Sequence, residues 1–148
     1  MANVLQVAKF IINRIGETTT LKLQKLTYYC QAWSLAWDGK PLFDEDFQAW
    51  ANGPVCPELF DLHRGLFVVD ASLFATISDY NFDKEQLETL ESVLSSYADK
   101  DSHWLSELTH QERPWRETRY GVPVGDNCSK VIEKDLMQDY YGGLHSVT

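Results

Sequence analysis

Apolar side chains recur every three or four residues near the start of the chain, and this spacing predicts an amphipathic helix. Asn3 precedes the pattern and Gln6 follows three residues later, as in a capping box. Gly16 supplies a natural C-terminal stop. The apolar positions of this first helix are Val4, Val7, Ala8, Ile11 and Ile15.

A second helix is predicted from the possible capping residues Thr18 to Thr20 through about Trp37, with Gly39 closing it. Its apolar and aromatic positions spread over more than one stripe. A helix with that pattern is expected to be central and contacted on several sides. These positions are Leu21, Leu26, Tyr28, Tyr29, Trp33, Leu35 and Trp37.

The next segment changes from helical to strand-like spacing. Residues 42–43 and 47–50 read as strands, and residues 44–46 fit a turn, so we predict a short β-hairpin. Residues 52–54 (Asn-Gly-Pro) turn the chain out of this hairpin. Pro57 suits the first position of a third helix that runs to about Arg64.

The second half of the chain predicts three more helices after a loop with a short extended piece between residues 66 and 80. Asp83 and Gln86 form another capping box. The helix that follows is expected to bury Leu87, Leu90, Val93, Leu94 and Tyr97. A helix from residue 101 or 102 through Leu108 is broken at Pro114. The last helix begins near Ser129 and ends before residue 142, with its inward positions at Val131, Ile132, Leu136 and Tyr140.

These elements predict a mainly α fold of about five to six helices with a small β-hairpin around residues 41–51. The 148 residues are expected to form a single domain, 1–148.

The net charge of −9 and the lack of Lys/Arg runs argue against nucleic-acid binding. The acidic charge is compatible with a basic protein partner, and equally with a role in solubility alone. With no leader and no apolar run of ~20 residues, we expect a soluble, cytoplasmic protein and no membrane contact.

Candidate catalytic groups are sparse. His110 and Glu112 have the HxE spacing of zinc deaminases, but the PCxxC that those enzymes need is missing. Cys30 reads as a core residue, and Cys56, in a turn before Pro57, is the more exposed thiol. No phosphate-binding glycine loop and no zinc-type spacing occurs. We therefore expect no enzyme, metal or cofactor; a hydrolase or transferase built on Cys56 or His110 is the alternative.

The remaining feature is a series of aromatic residues. Tyr28 and Tyr29 point about 100° apart on a helix, so the series is not expected to be wholly interior. Exposed Trp and Tyr are common anchors of protein interfaces, and Trp50 with Tyr29 is the preferred pair. The series comprises Tyr28, Tyr29, Trp33, Trp37, Phe43, Phe47 and Trp50.

Three motifs stand in order along the chain: the stretch from Leu21 to Phe60, then the helix after Asp83, then ELTHQERPW. The first contains LQKL-x-YY-x-Q-x-W, G-x-PLF and AW-x-x-GPV, and the last contains TH-x-E-x-PW. Together they resemble the Panacea domain of SocA-like antitoxins, which also occurs in phage-associated proteins of the GepA type. The resemblance runs from about Leu21 to Trp115. Nothing comparable matches the segment after Tyr120, which is a candidate region for partner-specific contacts.

The resemblance implies an antitoxin of a bacterial or phage toxin–antitoxin pair. Such a protein neutralises the toxin encoded beside it by direct contact, without catalysis or a cofactor. The alternatives are an adaptor that delivers the toxin to a ClpXP-type protease, and a phage-associated interaction protein without a toxin. The fold implied is mostly helical with a small hairpin.

The motif positions divide into two groups. The candidate toxin-binding residues are Tyr28, Tyr29, Trp50, Asn52 and Val55. The residues expected to have structural roles are Gln24, Lys25, Leu26, Gln31, Trp33, Pro41, Leu42, Phe43, Gly53, Pro54, His110, Glu112, Pro114 and Trp115. Within both groups, internal bonds between the second helix and the hairpin are expected from the polar residues Gln24, Lys25, Gln31, Asn52 and His110.

Overall fold

The computed structural model describes residues 1–144, which contain seven α-helices, five short strands and one 3₁₀ turn. The mainly α class predicted from the sequence is confirmed. The helices are α1 (Val4–Ile15), α2 (Thr20–Asp38), α3 (Pro57–His63), α4 (Lys84–Tyr97), α5 (Ser102–Gln111), α6 (Arg113–Thr118) and α7 (Lys134–Gly142). The strands are β1 (Thr18–Thr19), β2 (Phe47–Trp50), β3 (Gly53–Val55), β4 (Val68–Val69) and β5 (Val131–Ile132), and the 3₁₀ turn is Ala71–Phe74.

Local capping sets the ends of the long helices. The Asn3 side chain accepts a hydrogen bond from the Gln6 amide, and the Gln6 side chain accepts one from the Asn3 amide. Asp83 and Gln86 repeat this reciprocal pair at the start of α4. Both predicted capping boxes are therefore confirmed, because the interaction needs only residues three apart in sequence.

Helix α2 lies at the centre of the molecule. Every residue from Leu23 to Leu35 is buried, and helices α1, α4, α5 and α7 pack around it. The helix begins after the Thr19 cap and ends at Gly39, whose left-handed φ of 70° a glycine adopts without a Cβ clash. The spread of apolar positions over several stripes predicted this central placement, and the prediction is confirmed.

The hairpin exists but lies further along the chain than predicted. Strands β2 and β3 pair antiparallel through Gln48 with Val55 and Trp50 with Gly53, so the turn is at residues 51–52. Leu42 and Phe43 are not in a strand; they are buried in the loop that precedes the sheet. Alternating apolar residues predicted the strand at 47–50. Residues 52–54 read as a turn, so the strand at Gly53–Val55, which depends on tertiary contacts, was not predicted.

Strand β5 completes a three-stranded sheet in the order β3-β2-β5. Val131 pairs with Gln48 and Ile132 with Phe47, so the prediction that these two residues begin the last helix is wrong. Because α7 starts only at Lys134, Met137 and Tyr141 are its buried residues, rather than Leu136 and Tyr140. Pairing with a strand about 80 residues away outweighs the local helical spacing.

Two smaller differences concern α4 and the segment around Pro114. Leu87, predicted to be buried, is 37% exposed, and Thr89 takes a buried position on α4 instead. Pro114 breaks α5 as predicted, but it also occupies an early position of α6, where a missing amide proton is tolerated. Helix α6 is therefore the helix that the sequence pattern did not predict.

The chain between α3 and α4 returns to the start of α2. Strand β4 pairs antiparallel with β1, Thr18 opposite Val69 and Thr19 opposite Val68. The Thr20 amide also donates to the Phe67 carbonyl, at 2.9 Å. This short ribbon is the extended piece predicted between residues 66 and 80. Within residues 1–144, no helix is long and apolar enough to cross a membrane.

Candidate functional site

A cleft of about 400 Å³ opens between the hairpin, the start of α2 and the end of α3. None of its lining residues is Asp, Glu, Lys or Arg, although charged residues make up 24% of the chain. The lining residues are Thr20, Leu21, Gln24, Trp50, Ala51, Asn52, Val55, Phe60, His63, Gly65, Leu66, Asn127, Cys128 and Ser129.

Trp50 contributes a half-buried indole to the wall of this cleft. Its ring packs edge-on against Phe60, with centroids 5.0 Å apart, and its Nε1 donates to Gln48 Oε1 at 2.8 Å. The Trp50 carbonyl accepts a 2.8 Å hydrogen bond from Trp115 Nε1. Both the ring and the backbone of Trp50 are thus held in one orientation.

Gln24 and His63 lie at the buried side of the cleft. Gln24 Oε1 accepts from the Cys56 amide at 2.9 Å, and Gln24 Nε2 donates to the Cys56 carbonyl at 3.2 Å. Gln24 Nε2 also lies 3.0 Å from His63 Nε2. Because an amide nitrogen only donates, His63 Nε2 is the acceptor and the imidazole is neutral. Burial, with a smaller effect of nearby Lys25, lowers the pKa of His63 and favours this state.

Lys25 supports the hairpin from beneath. Its side chain is fully buried, and Nζ donates to the Pro54 carbonyl at 3.3 Å. Burial lowers the pKa of Lys25 to about 7. Gly53 has a φ of +122°, and a Cβ there would lie 2.4 Å from Lys25 Cε and 2.9 Å from Thr109 Oγ1. The close approach of Lys25 to the hairpin therefore requires glycine at position 53.

A second glutamine repeats the arrangement of Gln24 two turns further along α2. Gln31 Oε1 accepts from the Leu42 amide at 2.8 Å, and Gln31 Nε2 donates to the Phe43 carbonyl at 2.7 Å. Three of the polar motif residues, Gln24, Lys25 and Gln31, thus link α2 to the segment that contains the hairpin.

The other two polar motif residues make different contacts. Asn52 contributes its backbone carbonyl, which accepts from Ser106 Oγ at 2.8 Å, and its side chain lines the cleft. The His110 ring stacks on Trp115, with centroids 4.1 Å apart. His110 Nε2 is buried and has no hydrogen-bond partner among the described residues. Burial lowers the pKa of His110, which favours the uncharged ring.

The structure separates the five candidate toxin-binding residues. Trp50, Asn52 and Val55 all line the cleft, Val55 from a buried position. Tyr28 and Tyr29 are fully buried, so neither lies at the surface, where a toxin-binding residue is expected. Helix α2 is covered on all sides over this stretch, and side chains 100° apart both find interior contacts. Trp37 and Trp50 are the members of the aromatic series that remain accessible.

Tyr28 and Tyr29 belong to a buried network centred on Glu112. The hydroxyls of Tyr29 and Tyr141 each donate to Glu112 Oε1 at 2.7 Å, and the Tyr28 hydroxyl lies 3.1 Å from that of Tyr141. Burial raises the pKa of Glu112 to about 7, against the opposing effect of these two hydrogen bonds. Tyr97 stacks on Tyr29 with centroids 4.3 Å apart. The network joins α2, α4, α7 and the α5–α6 junction.

The thiols are differently placed from the prediction in one case. Cys56, predicted to be more exposed than Cys30, is equally buried, and burial raises its pKa to about 12. The amide and the carbonyl of Cys56 are both hydrogen-bonded to the Gln24 side chain. Cys30 is buried as predicted. Across residues 1–144, no three His, Cys, Asp or Glu side chains are grouped as a metal site would require.

Part of the cleft lining lies outside the motifs and was not predicted residue by residue. Asn127, Cys128 and Ser129 come from the segment after Tyr120, beyond the end of the family resemblance. They reach the cleft because β5 pairs with β2 and the Ala49 amide donates to the Lys130 carbonyl at 3.0 Å. A two-residue strand is too short to be recognised from alternation, so only the region after Tyr120 was predicted as a candidate for partner-specific contacts, and not these three residues.

The comparisons with known proteins agree with the motif resemblance. The family model described as Antitoxin SocA-like, Panacea domain, matches residues 23–116, which is more than half of the 148 residues. No curated protein and no solved structure gave a significant match. The matched segment contains Gln24, Lys25, the hairpin and α3, and therefore most of the cleft. The chain belongs to the family of SocA-like antitoxins that carry the Panacea domain.

Proposed function

We propose that this protein is the antitoxin of a toxin–antitoxin pair and neutralises its toxin by direct contact at the uncharged cleft. The observation that carries the proposal is the combination of a half-exposed Trp50 with a lining free of charged side chains. Partly exposed tryptophans beside apolar pockets are frequent binding hot spots, and such a cleft accepts an apolar side chain without leaving a charge unpaired.

The rigidity of the cleft supports this role. Gln24 binds both backbone groups of Cys56, Lys25 packs on Gly53, and Trp115 bonds the Trp50 carbonyl. These contacts order the walls before any partner arrives. A preformed surface loses less conformational freedom on association, so more of the contact energy appears as affinity.

The charge distribution suggests how the partner approaches. The chain carries a net charge of −9, while the lining of the cleft carries none. Acidic residues elsewhere on the surface attract a basic protein over distances up to a Debye length, which increases the association rate. The uncharged cleft then supplies the short-range contacts. We infer a basic toxin that inserts an uncharged group.

The same features favour binding over catalysis. Cys56 is buried with a raised pKa, which opposes formation of the reactive thiolate. His63 is engaged with Gln24, and His110 stacks on Trp115. The proposal therefore assigns the cleft to recognition of a partner, with no reaction and no cofactor.

The test begins with the protein encoded by the adjacent reading frame. That protein should arrest growth when produced alone and be tolerated when this chain is produced with it. Trp50→Ala should weaken the complex by about 2 kcal/mol or more and lose most of the protection. Trp37→Ala is the matched control, because Trp37 is 41% exposed at the other end of α2.

Three results would contradict the proposal: a harmless neighbour, a toxic neighbour that never associates with this chain, or full protection by a folded Trp50→Ala variant. Circular dichroism establishes folding of each variant. Measuring the half-life of the toxin in the same cells distinguishes neutralisation from delivery to a protease. Neutralisation by occlusion leaves the half-life unchanged or longer, whereas an adaptor of a ClpXP-type protease shortens it.

A further inference from the structure

Three consecutive apolar side chains are exposed next to the cleft. Leu66, Phe67 and Val68 have 48%, 69% and 43% of their surface accessible. We call these three residues the apolar ridge. Consecutive exposed apolar residues are unfavourable in water and commonly mark an interaction surface. The family motifs and the candidate residues deduced from the sequence do not include any of them.

The exposure of the ridge is imposed by ordered backbone. The Leu66 amide donates to the His63 carbonyl at 2.9 Å, and the Phe67 carbonyl accepts from the Thr20 amide at 2.9 Å. Val68 is paired with Thr19 in the β1–β4 ribbon. The ridge is therefore anchored to the start of α2 and to the end of α3. Its side chains are presented to solvent in fixed directions.

Leu66 separates two hollows of different chemistry. On one side it lines the uncharged cleft of about 400 Å³. On the other it lines a smaller hollow of about 240 Å³, together with Val68, Glu17 and Asp70. This second hollow contains two carboxylates and no cationic side chain. Neither Glu17 nor Asp70 takes part in a salt bridge within the described residues.

Asp70 remains an anion in this hollow. Its carboxylate accepts hydrogen bonds from the amide of Ser72 at 2.9 Å and from Ser72 Oγ at 2.5 Å. These bonds lower the pKa of Asp70. Because they come from neutral donors, the negative charge is not neutralised. Glu17, which is also exposed, adds a second uncompensated charge.

We propose that the apolar ridge is the second half of the toxin-docking surface, and that a toxin segment carrying an uncharged side chain beside a lysine or arginine lies across it. The uncharged side chain enters the cleft, and the cation faces Glu17 and Asp70. Phe67, the most exposed of the three, packs against the segment between them. This inference rests on the proposed function, since it specifies the partner of the same site.

The two hollows favour this occupant over a second copy of the chain. A charged group in the cleft would lose hydration and meet no countercharge, which is costly. An anionic group over Glu17 and Asp70 would be repelled. Self-association would bring two chains of net charge −9 together. A basic segment with an apolar or aromatic neighbour satisfies both hollows at once.

The experiment measures the dissociation constant of the complex between the full chain and the adjacent gene product by calorimetry. Phe67→Ser and Leu66→Ser are each expected to weaken the complex by about tenfold or more, as removal of a hot spot of about 1.4 kcal/mol would. Leu87→Ser is the matched control, because this 37%-exposed leucine lies on α4, whose Thr89 donates a hydrogen bond to Asp38 at the far end of α2. It should change the affinity by less than about twofold.

The charge requirement is tested separately by association kinetics. The double variant Glu17→Gln with Asp70→Asn should associate more slowly, and its rate should depend less on salt. Asparagine at position 70 keeps an acceptor for Ser72. The control with the same change in net charge is Glu85→Gln with Glu88→Gln on α4. Equal rates and equal salt dependence for the two double variants would overturn the assignment of the cation to this hollow.

The outcomes separate this inference from the proposed function. If the wild-type chain binds the toxin and Phe67→Ser binds equally well, the ridge is not part of the interface and only this inference fails. If the wild-type chain does not bind, the proposed function fails and the inference with it. If sedimentation reveals a dimer that Phe67→Ser dissociates, the ridge contacts a second copy and the inference is overturned.

Discussion

The two halves of the buried stretch of helix α2, residues 23–35, serve different purposes. The first half carries Gln24 and Lys25, which hold the backbone of the hairpin and lie beneath the cleft. The second half carries Tyr29 and Trp33, which are enclosed by α4 and α7. Burial alone therefore does not indicate a role. What distinguishes the halves is whether the buried group supports a surface or fills the interior.

The two glutamines make this difference measurable. Gln24 and Gln31 each use both atoms of the side-chain amide to bind backbone groups of the 42–56 segment. Their chemistry is matched, but only Gln24 lines the cleft. If the first half of α2 shapes the binding surface, a substitution of Gln24 should weaken toxin binding and one of Gln31 should not. Both substitutions should lower the free energy of unfolding by similar amounts.

The largest expected effect is the loss of a tryptophan from the second half. Trp33→Ala leaves a cavity in a fully buried position and removes the hydrogen bond from Nε1 to the Tyr97 hydroxyl, so it should lower the free energy of unfolding by about 3–5 kcal/mol. Urea denaturation measures this change. Trp37→Ala, one turn later and 41% exposed, should cost much less. Similar losses for both would mean that the second half is not a closed core.

The next effect compares the two glutamines. Gln24→Leu and Gln31→Leu each leave a backbone amide and carbonyl unsatisfied, at about 1–3 kcal/mol for each group. Both variants should therefore unfold at lower urea concentration by similar amounts. Only Gln24→Leu should also weaken toxin binding, as measured at a temperature where both variants are folded. Equal losses of binding would contradict the division of α2 proposed above.

Lys25 should make the protein more stable as the pH rises. The unfolded chain binds the Lys25 proton up to the ordinary pKa of 10.5, whereas the folded protein releases it above about 7. The free energy of unfolding, taken relative to Lys25→Met, should therefore rise between these values by about 1.4 kcal/mol per pH unit. Denaturation at pH 7, 8 and 9 measures this. Parallel curves for the two proteins would show that Lys25 stays protonated.

Glu112 should give a smaller contribution of opposite sign. Its pKa rises from 4.5 to about 7 on folding, so the folded protein binds the extra proton in this window. The free energy of unfolding, relative to Glu112→Gln, should fall as pH increases from about 4.5 to 7. Glutamine keeps an oxygen acceptor for the hydroxyls of Tyr29 and Tyr141. A difference that is constant with pH would place the Glu112 pKa near its ordinary value.

Features that depend on neighbours in sequence were predictable. The capping boxes at Asn3 and Asp83 and the glycine stop at Gly39 involve residues within a single turn, so a reading of the chain finds them. The central position of α2 was also predictable, because its apolar residues occupy more than one face. The motifs identified the family for the same reason, since they are continuous stretches of chain.

Features that depend on distant pairings were not predictable. Strand β5 is helical in its local spacing and became a strand by pairing with Phe47 and Gln48. Cys56 reads as a turn residue, yet its amide donates a hydrogen bond to the Gln24 side chain and its thiol is buried. Such contacts join residues that are 32 to about 80 positions apart, and no local pattern encodes them.

The candidate site combines both kinds of information. The sequence by itself determined the helices other than α6, the strand at Phe47–Trp50 and the polar residues that link α2 to the hairpin. Tertiary structure alone decided that Tyr29 is interior, that Asn127–Ser129 join the cleft and that Phe67 is exposed. The reason is physical: backbone capping is a local equilibrium, whereas the exposure of a side chain is the sum of contacts from every element that packs around it.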